Sequence, residues 1–381
     1  MHILHLLSNK KWTERAEPAV GLALGQKRQG HDVSFACGRW RRKTGKEDSV
    51  EVQASQRGLE PDVLYLDKHF SVNHAFQDVR RLREIVRTRA IRIIHAHMEN
   101  AHLVAALAAR KGAPRPCVVT TSYEPEGPTP GARSSWLYRR CTNGLVVICD
   151  AAKAVAMERF GLAEEKVEVI EPGIDLDVFD PGRAVQDERA KLGFGTDDFV
   201  LGLVSRLRKD RRIDIPVDAV AQLTERCPSL RLFIVGRGEL EEPLRAEMAK
   251  RGLADRIVVG GYRRGEQLVG AYRTMDVLVY PVPGTDKSCR TIREAMAASV
   301  PVVASRTGFL SDLIDEGRTG LFMELSSESL AQHAEALYKD RERVGALSEA
   351  ALATARKRFS LDLQAERTCA FYERLLLNGR R

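Results

Sequence analysis

The chain has 381 residues, which is too long for one ordinary hydrophobic core and suits two α/β domains. Its hydrophobic content of 44% and charged content of 29% are typical of globular proteins. No apolar run approaches the roughly 20 residues that a membrane-spanning helix needs. The first seven residues lack a basic n-region and a cleavage site, so we expect a first strand there, not a signal peptide.

The net charge indicates the kind of partner, and the cysteine content indicates the cellular compartment. The net charge of +8 indicates an anionic partner. Basic clusters at 39–43 and 133–140, which contain Trp40, Trp136 and Tyr138, are either solvated surfaces or a peripheral patch for the anionic inner face of the cell membrane. No nucleic-acid reader motif accompanies them, so we expect no nucleic acid. The seven scattered cysteines form no CxxC pair, which favours the cytoplasm and argues against disulfides and structural zinc.

Apolar runs of strand length alternate with amphipathic stretches along most of the chain. The predicted strands are 3–7, 31–35, 91–94, 117–120, 144–148, 167–170, 199–204, 231–235, 257–259, 277–280, 300–303 and 320–323, and the predicted helices include 19–29, 78–88, 241–250 and 329–338. This alternation predicts the α/β class with a parallel sheet in each half. Such sheets bind ligands beyond the carboxyl ends of their strands, so active-site residues are expected just after each strand.

The two domains are expected to meet at the turn 171–173. The first would span 1–172 and the second 173–359, with a linker at 176–184 that contains Pro181 and Gly182.

The most informative segment is 283–304. A strand ends, a polar loop follows, and a helix begins near Arg290, whose charge would add to the free N–H groups of the helix N-terminus at a phosphate. Asp286 in the loop and Glu294 one turn into the helix are carboxylates of the kind that bind sugar and ribose hydroxyls. The alternative for Glu294 is that it merely favours the first turn of a helix.

Two further loops follow strands in the second half. The segment 206–212 contains five cations in seven residues directly after a strand, which favours a diphosphate site over a solvated basic loop. Gly236-Arg237-Gly238 also follows a strand, although these glycines by themselves indicate only a tight turn.

The second half resembles the glycosyl group 1 domain of glycosyltransferase family 4, a large retaining family with the GT-B fold. The resemblance rests on ordered motifs: VIEPGID (169–175) for V-I-P-N-G-V-D, SRL (205–207) with Arg211 for G-R-L-x-x-x-K-G, IVGRGE (234–239) for I-V-G-x-G-P, DRIVVGGY (255–262) for D-x-V-x-F-x-G, Tyr272 with MDV (275–277) for Y-x-x-A-D-V, Asp286 to Glu294 for E-x(7)-E, and EAMA (294–297) with PVVA (301–304).

The resemblance implies a role for each matching residue. Arg206 and Arg211 would hold the donor diphosphate, Glu294 the ribose and Asp286 the donor sugar. The other implied donor-binding residues are Gly236, Arg263 near the base, and Ser288, Cys289 and Arg290 at the phosphates. The chemistry would be metal-independent front-face attack without a covalent nucleophile or a cofactor.

This chain departs from the family pattern at several positions. Asp286 replaces the usual Glu and Arg211 the usual Lys, while Lys-Ser-Cys-Arg (287–290) replaces Gly-Phe-Gly-aliphatic. The Gly-Gly loop expected after the first strand is absent.

The candidates for acceptor or cleft contacts in the first half are Glu14, Glu17, His97, Tyr123, Glu124 and Glu126. Two His in H-x-H spacing (His95 and His97) do not complete a metal site with a carboxylate, so no metal is expected.

The implied fold is GT-B, with two Rossmann-like domains whose parallel sheets face a central cleft and a terminal helix, about 360–381, that crosses back onto the first domain. The implied activity is transfer of a hexosyl group from a UDP- or GDP-sugar to a saccharide or lipid-linked acceptor, in surface polysaccharide, lipopolysaccharide or glycolipid assembly. A GT-B nucleotide-sugar epimerase and a non-catalytic nucleotide-sugar binder remain alternatives. An oxidoreductase would need G-x-G-x-x-G after the first strand, which the sequence lacks.

Overall fold

The computed structural model describes residues 1–13, 15–41, 45–67, 71–110, 115–185, 188–282 and 289–378. The chain forms two compact units. The first comprises Met1–Gly173 together with Ser360–Arg381, and the second comprises Ile174–Phe359. All seven cysteines are free thiols.

The described part of the first unit contains a parallel sheet with helices between its strands. Its strands are β1 (His2–Leu7), β2 (Asp32–Gly38), β3 (Pro61–Leu64), β4 (Ile93–Ala96), β5 (Cys117–Ser122), β6 (Gly144–Val147) and β7 (Val167–Val169), in the spatial order β3-β2-β1-β4-β5-β6-β7. Its helices up to β7 are α1 (Ala16–Arg28), α2 (Val50–Gln56), α3 (Val72–Thr88), α4 (Glu99–Ala109), α5 (Ala132–Arg140) and α6 (Asp150–Phe160).

The described part of the second unit has the same organisation. Its strands are β8 (Phe199–Val204), β9 (Leu230–Val235), β10 (Ile257–Val259), β11 (Val277–Tyr280), β12 (Val302–Ser305) and β13 (Gly320–Met323), in the parallel order β10-β9-β8-β11-β12-β13. Its helices are α7 (Leu176–Phe179), α8 (Asp214–Gln222), α9 (Glu241–Lys250), α10 (Glu266–Thr274), α11 (Arg290–Ala297), α12 (Ser327–Lys339) and α13 (Arg341–Arg358), and α14 (Leu361–Asn378) then returns to the first unit. The predicted α/β class with two parallel sheets is confirmed.

The sequence prediction missed β3. This strand starts with Pro61 and lies at the edge of the sheet, where it pairs with β2 alone. A proline has no N–H to donate to a ladder, so it is tolerated in an edge strand. The short run Pro-Asp-Val-Leu lacks the long apolar stretch that marked the central strands.

The predicted linker 176–184 is also corrected. It begins with the short helix α7, whose Phe179 is buried with its ring 6.0 Å from the ring of Tyr272, edge to face. Aromatic pairs at this separation are attractive in addition to the apolar area they bury. This part of the segment therefore belongs to the packed interior of the second unit.

Helix α14 completes the core of the first unit. Its buried Phe371, Tyr372 and Leu375 pack in one hydrophobic cluster with residues of the sheet such as Val119. Helix α1 approaches it closely because a glycine faces it: a Cβ added at Gly25 would lie 3.1 Å from the Leu361 carbonyl oxygen. The last helix is thus an integral element of the first unit.

Truncation of a buried aromatic ring on α14 should destabilise the protein. Phe371→Ala is expected to lower the free energy of unfolding by about 3–5 kcal/mol, because a fully buried ring is lost and a cavity remains. Leu377→Ala is the matched control on the same helix, since Leu377 is 65% exposed. Urea unfolding should show a large change for the first variant and almost none for the second; equal stability of both would contradict the packing.

Candidate active site

In each unit the strand order reverses at one place in the sheet. The reversal falls between β1 and β4 in the first unit and between β8 and β11 in the second. Open α/β sheets bind ligands in the crevice beyond the carboxyl ends of the strands at such a point. The two loops that follow β8 and β11 carry most of the predicted donor-binding residues.

The loop after β8 carries Arg206 and Arg211. Arg206 is exposed, whereas Arg211 is buried and its guanidinium lies 3.1 Å from a carboxylate oxygen of Asp210. Arg212, which follows, has a left-handed backbone with φ of 50° and forms an ion pair with Asp214 at the start of α8. The predicted cations thus belong to a short structured connection between β8 and α8.

The Gly-x-Gly loop after β9 packs directly on the loop after β8. Gly236 has φ of 150°, and a Cβ at this position would lie only 1.7 Å from the Ser205 carbonyl oxygen. The Leu207 N–H donates to the Arg237 carbonyl at 3.1 Å. Glycine is required here because no side chain fits between the two backbones. Gly236 therefore fixes the position of the backbone that carries Arg206.

Glu294 lies in a buried polar cluster on α11. It is 5% exposed, the Tyr272 hydroxyl donates to its Oε2 at 2.9 Å, and the Arg290 Nε lies 2.5 Å from its Oε1. A buried carboxylate needs such partners to offset its lost hydration. Burial and the neighbouring Glu294 charge raise the pKa of Tyr272 well above its usual value, so this hydroxyl keeps its proton and remains a donor.

Sequence reasoning matched Tyr272 to a motif without giving it a role. The structure shows that it holds the side chain predicted to bind ribose. Cys289, also predicted at the donor site, is buried directly before α11 and has φ of 52°. Arg263 is half-buried, 3.6 Å from Glu188. Asp286, Ser288 and Glu14 lie outside the described residues.

In the first unit, three buried histidines cluster beside the point of strand reversal. His5 of β1 is the register partner of His95 of β4, and His97 directly follows β4. Ring centroids are 4.4 Å apart for His95 and His97, and 5.1 Å apart for His5 and His97. Sequence reasoning identified only the H-x-H pair. The third histidine could have been found from the parallel pairing of β1 with β4.

Every ring nitrogen of this cluster has a hydrogen-bonding partner. His5 bonds Gln26 at 2.7 Å and His97 at 2.8 Å, and His97 also bonds the Tyr123 hydroxyl at 2.9 Å. His95 lies between the Tyr372 hydroxyl at 2.5 Å and the Thr121 hydroxyl at 2.7 Å.

The histidine nitrogens are close enough to raise the question of a metal ion. One nitrogen from each ring lies within 4.8 Å of the others, so the three residues could coordinate an ion of the zinc type. Ligation would, however, replace hydrogen bonds that these nitrogens already make. The geometry therefore fits a polar network of neutral rings better than a metal centre.

The acidic candidates of the first unit are largely ion-paired. Glu17, on the first turn of α1, pairs with Arg57 at 2.5 Å. Glu124, just after β5, pairs with Arg15 at 2.8 Å. Glu126 is exposed in the following turn. Glu17 and Glu124 therefore each bind an arginine of the first unit.

The aromatic residues of the basic clusters are not equivalent. Tyr138 is 7% exposed and packs against the ring of Phe160, so its ring belongs to the interior of the first unit and not to the basic surface. Trp136 is half-buried beneath the Arg110 guanidinium. In the other cluster, the exposed Arg41 lies over the ring of Tyr65, while 42–44 are outside the described residues. No helix among the described residues is both long and apolar enough to cross a bilayer.

Gly236→Ala should disrupt donor binding through the backbone. The added methyl group would collide with the Ser205 carbonyl, so we expect a lower melting temperature and at least tenfold weaker nucleotide affinity. Gly345→Ala is the control, because a Cβ there meets no atom within 4 Å and alanine favours the middle of α13 by roughly 1 kcal/mol. Unchanged nucleotide affinity of Gly236→Ala, measured by calorimetry, would contradict the assigned role.

The buried histidines should make the fold acid-sensitive. Burial lowers the pKa of His5 to about 4 and that of His102 to about 3, and it lowers those of His95 and His97 well below their usual range. Below about pH 6.5 the unfolded chain therefore binds more protons than the folded one. The unfolding free energy should fall between about pH 6.5 and pH 4, by up to about 1.4 kcal/mol per pH unit for each histidine.

His102→Gln tests the acid sensitivity, with His333→Gln, a half-buried histidine on α12, as the control. His102 bonds the Thr142 hydroxyl outside the three-histidine cluster. Urea unfolding at several pH values should give a shallower pH slope for His102→Gln only. A slope that is unchanged in both variants would contradict the burial-induced pKa shifts.

Both units are similar to known protein families. A family model described as Glycosyltransferase Family 4 matches residues 19–178, and one described as Glycosyl transferases group 1 matches residues 184–354. The chain is 33% identical over 251 residues to a D-inositol 3-phosphate glycosyltransferase of Corynebacterium jeikeium, covering 62% of this chain and 58% of the relative. It is 31% identical over 216 residues to the lipopolysaccharide core biosynthesis mannosyltransferase LpsB of Rhizobium meliloti, covering 55% of this chain and 61% of the relative.

These alignments span only about three fifths of the two relatives. Among solved structures, HepE of Anabaena in complex with UDP superposes with a TM-score of 0.77 at 20% identity, over 97% of this chain and 99% of that one. At this identity the likeness establishes the fold. The two family models, which together match both units, show that the chain belongs to glycosyltransferase family 4, the group 1 glycosyl transferases, and the shared fold is GT-B.

Proposed function

We propose that the protein is a retaining, metal-independent glycosyltransferase that moves a sugar from a UDP- or GDP-sugar to an acceptor hydroxyl. The observation that carries the proposal is the buried carboxylate of Glu294, held by Tyr272 and Arg290 at the start of α11. Arg206 and Arg211 follow β8, the strand next to β11 in the sheet. Arg206, Arg211 and Glu294 thus follow neighbouring strands, which supports their proposed roles toward a diphosphate and a ribose.

Charge explains how such a site can work without a metal ion. The diphosphate gains negative charge as the glycosidic bond breaks, and fixed cations stabilise that charge more than they stabilise the ground state. Arg206 and Arg211 would supply these cations, and the N-terminal end of α11 would add backbone N–H donors. Glu294 would accept hydrogen bonds from the ribose hydroxyls and so fix the donor.

Retention would follow from attack on the same face that the leaving diphosphate departs from. In that geometry the leaving phosphate oxygen can take the proton of the acceptor hydroxyl, and no protein nucleophile is required. Asp286 would hold the donor sugar while charge develops at its anomeric carbon. The family membership of the chain supports this mode of reaction.

The acceptor is proposed to be a saccharide or a lipid-linked saccharide. One relative is named for mannosyl transfer in lipopolysaccharide core biosynthesis and another for transfer to D-inositol 3-phosphate. We further propose a cytoplasmic location with peripheral attachment to the inner face of the membrane. The exposed Arg39 and Arg41 near Tyr65 support an anionic surface as partner.

Activity of site variants tests the proposal. Donor hydrolysis, followed as release of nucleoside diphosphate from UDP- and GDP-sugars, needs no knowledge of the acceptor. Glu294→Gln and Arg206→Ala should each lower this rate by on the order of 10²–10³-fold, because each removes a charged contact to the donor. Arg318→Ala, which removes an exposed cation from the same unit, should leave the rate unchanged.

The products distinguish the remaining alternatives. The sugar first released should keep the anomeric configuration of the donor when examined by proton NMR, and EDTA should not slow its release. An inverted anomer would contradict retention, and a sugar epimerised at another carbon would indicate an epimerase. Near-normal rates in both Glu294→Gln and Arg206→Ala would contradict the site.

A further inference from the structure

A continuous hydrogen-bonded chain runs through the interior of the first unit to the end of a strand. Gln26 on α1 bonds His5 on β1, His5 bonds His97 after β4, and His97 bonds Tyr123 directly after β5, at 2.7, 2.8 and 2.9 Å. Gln26, His5 and His97 are at most 1% exposed, while Tyr123 is half-buried. These hydrogen bonds thus connect a fully buried amide to a phenol at the carboxyl edge of the sheet.

The orientation of the Gln26 amide sets the donor and the acceptor in each of these hydrogen bonds. With the Gln26 amide oriented so that Oε1 faces His5 and Nε2 lies buried without a hydrogen-bond partner, Oε1 can only accept, and His5 Nε2 then carries the proton. Burial keeps both rings neutral, because it lowers the pKa of His5 to about 4 and that of His97 well below its usual range. His5 Nδ1 must then accept from His97 Nε2–H, and His97 Nδ1 must accept from the Tyr123 O–H.

We propose that Gln26, His5 and His97 are positioning residues that turn the Tyr123 proton inward, so that the phenol oxygen is presented as an acceptor to a hydroxyl of a substrate sugar. The proposal rests on the proposed glycosyl transfer. Tyr123 follows β5, next to β4 in the sheet, at the edge where sheets of this type bind ligands. A fixed acceptor would select a sugar with a hydroxyl at that position.

The neighbouring histidine serves as an internal comparison. His95 bonds Tyr372 of α14 and Thr121 of β5, both of which are buried, so this branch begins and ends in the core. These hydrogen bonds join α14 to the sheet, and none of the three side chains is expected to contact the substrate. The branch through His97 differs because it ends at Tyr123, a half-buried residue that directly follows β5.

Two replacements of His97 separate positioning from packing. In His97→Asn, the side-chain oxygen lies near the position of Nδ1 and can still accept from Tyr123. In His97→Gln, the longer amide can replace Nε2 and keep the bond to His5, but it leaves no acceptor for Tyr123. We expect His97→Gln and Tyr123→Phe each to lower kcat/KM about tenfold, the value of one hydrogen bond, and His97→Asn to retain most of the activity.

The double variant and a buried control complete the test. Because His97 acts through the Tyr123 hydroxyl, His97→Gln should cause no further loss in the Tyr123→Phe background. His102→Gln, which changes an equally buried histidine of α4, should lower the melting temperature without changing kcat/KM. Loss of donor hydrolysis in Tyr123→Phe would assign the sugar to the donor, whereas loss confined to transfer would assign it to the acceptor.

The histidine tautomers can be measured independently of turnover. Nitrogen-15 NMR of the histidine side chains should show protonated Nε2 and bare Nδ1 for both His5 and His97, and Tyr123→Phe should shift the Nδ1 resonance of His97. The tautomers do not depend on whether the protein transfers a sugar. The NMR result therefore separates failure of this inference from failure of the proposed function.

Several outcomes would overturn the proposal. A protonated Nδ1 on His97 would reverse the chain, and equal damage by His97→Asn and His97→Gln would reduce its role to packing. Full activity of Tyr123→Phe would remove the substrate contact. Stoichiometric zinc in the purified protein that is lost in His97→Gln would show that the cluster is a metal site instead.

Discussion

The carboxyl ends of the adjacent parallel strands β8 and β11 determine where the charged residues of the second unit can meet. The strand order reverses between them, and open α/β sheets bind ligands beyond the carboxyl ends of their strands at such a point. The cations after β8 and Glu294 on α11 belong to the segments that follow these two strands. Gly236 then holds the neighbouring loop against the first of them, because only a residue without a side chain fits beside Ser205.

Buried hydrogen bonds orient polar side chains in both units. Glu294 is buried as a carboxylate between a guanidinium and a phenol, which fixes its orientation before a ligand arrives. In the first unit, burial keeps His5 and His97 neutral, and a neutral ring has one donor and one acceptor. Buried hydrogen-bond partners therefore fix the orientation of Glu294 in one unit and connect the histidines in the other.

The sequence predicted the class of fold and most of the central strands because buried parallel strands are apolar runs of characteristic length. Strand β3 was missed because an edge strand that begins with Pro61 has no such run. The third histidine was missed because the contact between His5 and His97 depends on strand pairing across 92 residues of sequence. The run of cations on α5 does not reveal that the side chain of Tyr138 among them faces the core.

Direct binding of the donor nucleotide tests the central claim, a metal-independent nucleotide-sugar site, most directly. The melting temperature would be measured with UDP, GDP, ADP and CMP and their sugars, each with and without EDTA. A ligand that binds only the folded state raises the melting temperature by mass action. The stabilisation is about 2.7 kcal/mol at a ligand concentration of one hundred times Kd. The account predicts a shift with the uridine or the guanosine family that EDTA does not change. Absence of a shift with every nucleotide, or a shift that EDTA abolishes, would contradict it.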